Sequence, residues 1–234
     1  MRTHPAHARA RLSAVILLSL SMLLATFLVA CSPTTQVPDP QTIINKVKQQ
    51  NWKDATFTFT ANAATPGASY TATGNGVVTR NPQRTDETIT SNSGSQTQTE
   101  EVITDGQNVY ARVKGQQKWV KLTTPPDLGG FGGVTPTTDF GSLQNLTFVG
   151  SETIEGYPTW HVKGTYTTTT SQGKTVTNNV DLWVRQDNYW VVQVKDHATV
   201  AGEPGTTSDA TLLFTKWNTG AVITPPPPGQ VATS

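Results

Sequence analysis

Few side chains in this 234-residue sequence could carry chemistry, and the single cysteine, Cys31, is the most distinctive. A thiol can act as nucleophile, metal ligand or acceptor of a covalent group. Standing alone, Cys31 cannot close a disulfide within the chain. Beyond the first 31 residues only His161 and His197 offer imidazoles, and neither has a partner at metal-ligand spacing. Asp86-Glu87 and Glu100-Glu101 are adjacent acids. In strands such neighbours point to opposite faces, so they read as solvated edge charges rather than a general acid/base couple. Gly129–Gly133 lacks the flanking helix and lysine of a phosphate loop, and no Gly-x-Ser-x-Gly elbow is present. The chain is therefore expected to have no catalytic residue, no metal site and no cofactor.

The element that positions Cys31 is the leader. Arg2, Arg9 and Arg11 form a basic start, and Leu12–Val29 is an 18-residue run broken only by small hydroxyl residues. That is the layout of an export signal, although its length also approaches that of a membrane span. Two features favour the signal: the run stops at Cys31, and Ser32-Pro33-Thr34-Thr35 turns polar without stop-transfer basic residues. Leu28-Val29-Ala30-Cys31 resembles the lipobox of bacterial lipoproteins. The resemblance implies that residues 1–30 are removed and that Cys31 carries the lipid anchor. Two or three acyl chains hold a protein on a membrane stably, whereas one does so marginally.

Without residues 1–30, 204 residues remain, with 14 basic side chains against 16 acidic. Nothing in that balance attracts nucleic acid. With the thiol occupied there are no disulfides, so an apolar core must hold the fold, and a chain of this length can bury one. Residues 31–39 read as an extended tether. Asp39-Pro40 then supplies an N-cap and a first-turn proline for a short helix with Ile43, Ile44 and Val47 on one face.

From Ala55 the period changes to two, as in Phe57-Thr58-Phe59-Thr60. About ten strands follow, punctuated by Pro66-Gly67, Asp105-Gly106 and Gln186-Asp187-Asn188. Gly74 and Gly76 within the second strand suggest a bend or bulge. Residues 123–141 are glycine-rich yet carry Leu128 and Phe131, so the segment reads as a core cap or a lip over a cavity. The apolar strands around Trp183 and Trp190 suggest that both rings pack in the core. Residues 224–234, opening on four prolines after Thr224, read as a disordered tail behind a domain spanning 40–223. The pattern predicts a mainly β, α+β fold: a strongly curved antiparallel sheet, or half-open barrel, with the helix on its concave side.

Several stretches together resemble the LppX/LprAFG lipoprotein family. They are Thr104–Ala111 with Gln117–Leu122, Gly150–Gly164, Val180–Val184, and Phe214–Asn218 with Val222–Pro225. The resemblance implies a LolA/LolB-like half-open barrel whose apolar cavity shelters the acyl chains of a lipid or glycolipid. The expected protein is a monomer, extracytoplasmic and lipid-anchored to the bacterial cell membrane. On the apolar faces, Phe57, Phe59, Val109, Ala111, Leu128 and Phe131 are the candidate lining. A filled core would instead suit an envelope sensor that binds a protein partner through an edge strand or the threonine-rich tip. A polysaccharide-binding surface, suggested by the six tryptophans, is the third reading.

Overall fold

Asp39 starts the fold by accepting a hydrogen bond from the Thr42 backbone N–H at 3.1 Å, with Pro40 in the first turn of helix α1, Pro40–Lys48. Ile43, Ile44 and Val47 are buried, and Lys46 and Lys48 in the last turn complement the helix dipole. The structure, a computed structural model, describes residues 37–106, 108–122, 140–170 and 172–232. Cys31, Leu128 and Phe131 lie outside the described residues. The chain divides into Met1–Val37 and Pro38–Ser234, and the fold below is that of the second unit.

Eleven strands follow among the described residues. The first six are β1 (Asp54–Thr65), β2 (Ala68–Arg80), β3 (Gln83–Ser93), β4 (Gln96–Asp105), β5 (Asn108–Val113) and β6 (Val120–Leu122). After a short 3-10 turn at Phe140–Ser142 come β7 (Gln144–Ile154), β8 (Tyr157–Thr169), β9 (Thr175–Arg185), β10 (Val191–Val200) and β11 (Thr207–Trp217). All pair antiparallel in one sheet of order β6-β5-β4-β3-β2-β1-β11-β10-β9-β8-β7. The first and last strands thus meet in the middle, and β6 and β7 are the two unjoined edges. This is the curved, half-open sheet with a helix on one face that the alternation predicts. The threonine-rich tip belongs to β8 and β9, which pair out to Thr169 and Thr175.

The main apolar cluster joins α1 to the concave face through Trp52, Phe57, Val162, Leu182 and Phe214. A second cluster, on the same face of β2–β5, contains Ala72, Ile89, Val102 and Val109. All of them lie within Pro38–Ser234, so that unit carries its own core.

Three expectations are corrected. Gly74 and Gly76 form no bulge, since β2 pairs without a register shift to both β1 and β3. A Cβ at Gly74 would sit 2.6 Å from Phe59 Cζ, and one at Gly76 would sit 2.9 Å from Phe57 Cζ. The glycines leave room for rings from the neighbouring strand. Trp183 is buried on the convex face rather than in the concave core, stacked on His161 at 4.3 Å between ring centroids. The proline-rich end runs along the convex face through Val231. Ile223 is buried against Ile103 and Trp119, and the Trp119 N–H donates to the Gln230 carbonyl at 2.8 Å. Four prolines reduce the entropy lost on ordering an extended strap, and Ile103 and Trp119 supply the convex apolar surface that it buries.

Candidate functional site

Strand register resolves the concave face into rungs that cross the sheet. The lower rung of Val162, Leu182, Val194, Leu212 and Phe59 is apolar throughout. One rung up run Val180, Asp196, Ala210, Ala61, Ala72 and Ser91. Above that run Tyr166, Asn178, Ala198, Ser208, Ala63 and Tyr70. Across β10, β11 and β1 the side chains therefore change from bulky and apolar in the lower rung to small or polar in the two above it, while Val180, Tyr166 and Tyr70 keep bulk at the flanks. Alanine and serine put less volume on an inward face than valine, leucine or phenylalanine, which decides whether a curled sheet is filled or hollow.

Within the upper rungs Asp196 and Asn178 are 3% and 0% exposed. The Tyr166 hydroxyl reaches across β9 and donates to Asp196 Oδ2 at 3.2 Å. Burial pushes the Asp196 carboxyl up to about 6, against the lowering effects of that bond and of His197. Burial also raises the Tyr166 hydroxyl, helped by the adjacent Asp196 charge. In the other half of the wall Glu87 faces inward between Gly76 and Val102. Desolvation first, then the Asp86 charge, pushes Glu87 up to about 7. The reading of the acid pairs as edge charges is corrected here: β3 and β4 are interior strands. Their opposite facing stands, with Glu101 paired to Arg112 while Glu100 shares the concave face with Ile89.

Phe57, Phe59, Val109 and Ala111 all lie on this concave face. Phe57 is 1% exposed and packed edge-on against Phe214, so it belongs to the filled lower part. Phe59 touches both apolar clusters, and Val109 is buried in the second, with Ala111 partly exposed at its margin. Sequence reasoning missed Asn178, Asp196 and Glu87. A signal for Asp196 was present: it shares the parity of Val194 and Ala198, an acid on an otherwise apolar face.

The two histidines face away from this wall. His161 is held by Glu152 at 3.2 Å on Nδ1 and by Asp181 on Nε2, and His197 Nδ1 lies 2.8 Å from Asp209. Trp183 Nε1–H donates to Glu152 at 2.6 Å, so the acid orients imidazole and indole together. Among the described residues no three His, Cys, Asp or Glu side chains form a metal-binding group, and no helix is long and apolar enough to cross a membrane.

No protein-family profile matches the sequence, and neither does any curated protein. The fold does find counterparts. The crystal structure of lipoprotein LppX from Mycobacterium tuberculosis superposes with a TM-score of 0.52 at 19% identity, over 80% of this chain and 100% of that one. The chain has an LppX-like fold. A LolA superfamily protein from Nitrosomonas europaea matches 77% of the chain and 93% of its own at 12% identity, with a TM-score of 0.30. MucB, in complex with MucA, matches 80% of the chain and 57% of its own at 16% identity and a TM-score of 0.35. Likeness at those last two levels carries no inference for this chain.

Proposed function

We propose that this chain is an extracytoplasmic lipoprotein, anchored to the bacterial cell membrane through an acylated Cys31, that binds an acyl lipid or glycolipid against its concave wall. It would carry or present that lipid within the cell envelope, without catalysis. The observation behind the reading is the wall's gradient, apolar below and small-residue above, in a sheet whose edges do not close. Each methylene removed from water there would contribute about 0.8 kcal/mol, so a long acyl chain needs no specific contact to bind.

Mass spectrometry of an organic extract, from protein purified without the leader and Cys31, tests the reading directly: an acyl lipid should co-purify in stoichiometric amount. Val109 is too closely packed to narrow a cavity without disturbing the shell, so the matched variant is Ala111→Trp. Uptake of a fluorescent fatty acid should fall while the unfolding transition holds. The anchor has its own test, since Cys31→Ala should abolish incorporation of labelled fatty acid.

The second reading, an envelope sensor that binds a protein, draws on the edge strand β7. Among the described residues it pairs only with β8, which leaves one side of an eleven-residue strand for a partner. An empty extract, with no saturable fatty-acid uptake by the wild type, would favour it.

A further inference from the structure

Two buried oxygens on the concave wall have no hydrogen-bond partner among the described residues: Asn178 Oδ1 and Asp196 Oδ1. They sit on adjacent strands, in neighbouring rungs, with Asn178 opposite Ala198 and Asp196 opposite Val180. An acceptor shielded from water without a donor loses its hydration and gains nothing in return, so two on one wall are not neutral to the fold. Each oxygen is held in place by its other half. Asp196 Oδ2 accepts from the Tyr166 hydroxyl, and Asn178 Nδ2 makes a long bond to the Tyr166 carbonyl at 3.5 Å, leaving Oδ1 as the free end of each side chain. One tyrosine thus positions both. The flanking residues on the β11 side are Ala210 beside Asp196, and Ala198 then Ser208 beside Asn178. None of the three presents a bulky apolar side chain to the two oxygens.

We infer that this part of the wall is a polar subsite for a hydroxyl-bearing group of the bound lipid, with Asn178 and Asp196 as acceptors and Tyr166 as a positioning residue. The inference rests on the lipid reading above and deepens it. A purely hydrocarbon ligand would leave both acceptors unpaired, whereas a polyol or hydroxy-acyl segment supplies a donor to each. The wall would then select for lipids with hydroxyls as well as for chain length.

The test uses the unit from Pro38 onward and two probes of equal chain length, 1-monolauroylglycerol and methyl laurate. Each is titrated against bound 11-(dansylamino)undecanoic acid. Wild type should bind the glycerol ester about tenfold more tightly than the methyl ester, the effect of one to two added hydrogen bonds. Asn178→Leu and Asp196→Leu should each lower that ratio about threefold, and the double variant should bring it to about one, with methyl laurate affinity kept. A wild-type ratio near one, with saturable binding of both esters, would overturn the subsite and leave the lipid reading standing. That measurement needs no variant to fold. An unchanged ratio in folded variants that melt higher would also overturn it, by assigning the polar pair a structural role. Absence of any saturable dansyl-acid binding would remove the lipid reading, and the subsite with it.

Discussion

Gly74 lies opposite Phe59 across the β1–β2 pair, and the ring fills the volume its missing side chain leaves. The carbonyl oxygen of Thr88 on β3 closes the other side, 2.7 Å from where a Cβ would sit. A side chain at 74 would therefore meet an aromatic ring and a backbone group that cannot swing away. Gly74→Val should lower stability by about 1–3 kcal/mol through overpacking, read as a fall in the denaturation midpoint with unchanged slope. Gly150 provides the contrast, because nothing lies within 4 Å of its Cβ position and its φ is not in the left-handed region. Gly150→Ala should stay within about 0.5 kcal/mol of wild type.

At the scale of elements, the strap after β11 is latched by one buried acid. Asp54, at the start of β1, accepts from the Thr219 N–H at 2.7 Å, the Thr219 hydroxyl at 2.6 Å and the Gly220 N–H at 3.1 Å. Burial alone would raise this carboxyl, but the bonds from Thr219 and Gly220 outweigh it and hold it below its ordinary value. The latch sets the direction in which the chain leaves β11. Farther along, Arg84 grips the Ile223 carbonyl at 2.9 Å, and Val231 pairs with Trp119 beside edge strand β6. Ending the chain at Gly220 should expose Ile103 and Trp119 and cost about 2–4 kcal/mol, with increased binding of a hydrophobic dye. Asp54→Ala should release the same strap and cost about 1–3 kcal/mol. Hydrogen exchange should then rise at the Trp119 amide while the amides of β9 and β10 stay protected.

For the whole molecule, the concave carboxyls set an unusual dependence on pH. Glu87 and Asp196 are raised in the folded protein to about 7 and about 6, from ordinary values of 4.5 and 3.8. Between each pair of values the folded chain binds more protons than the unfolded one, so stability falls as pH rises through that window. Asp54 and Asp187 are lowered on folding, and their contribution is lost only as pH drops through their folded values. The thermal midpoint should therefore rise from pH 8 to pH 5 and fall again below about pH 4. Glu87→Gln should flatten the rise between pH 5 and 7. A midpoint that climbs steadily from pH 5 to 8 would show that these two carboxyls are not the dominant titrating groups.

Local chemistry made much of this protein legible in its sequence. Asp39-Pro40 and the Ile43, Ile44 and Val47 stripe define α1 because capping and helical period act over a few residues. The alternation Phe57, Phe59, Ala61 assigns one face of β1 to the interior because side chains in a strand repeat every two residues. Turn residues such as Gly67, at φ 89°, mark where strands end. What alternation cannot encode is which strands lie side by side, since pairing is a contact between residues far apart in the chain. Only the pairing of β11 with β1 and with β10 aligns Ala61, Ala210 and Asp196, and so turns separate strands into a wall whose middle is bulky and apolar at one end and small or polar at the other. The same holds for the C-terminal strap: four prolines report an extended backbone, but whether it is solvated or docked depends on the convex patch around Ile103 that only the folded sheet assembles.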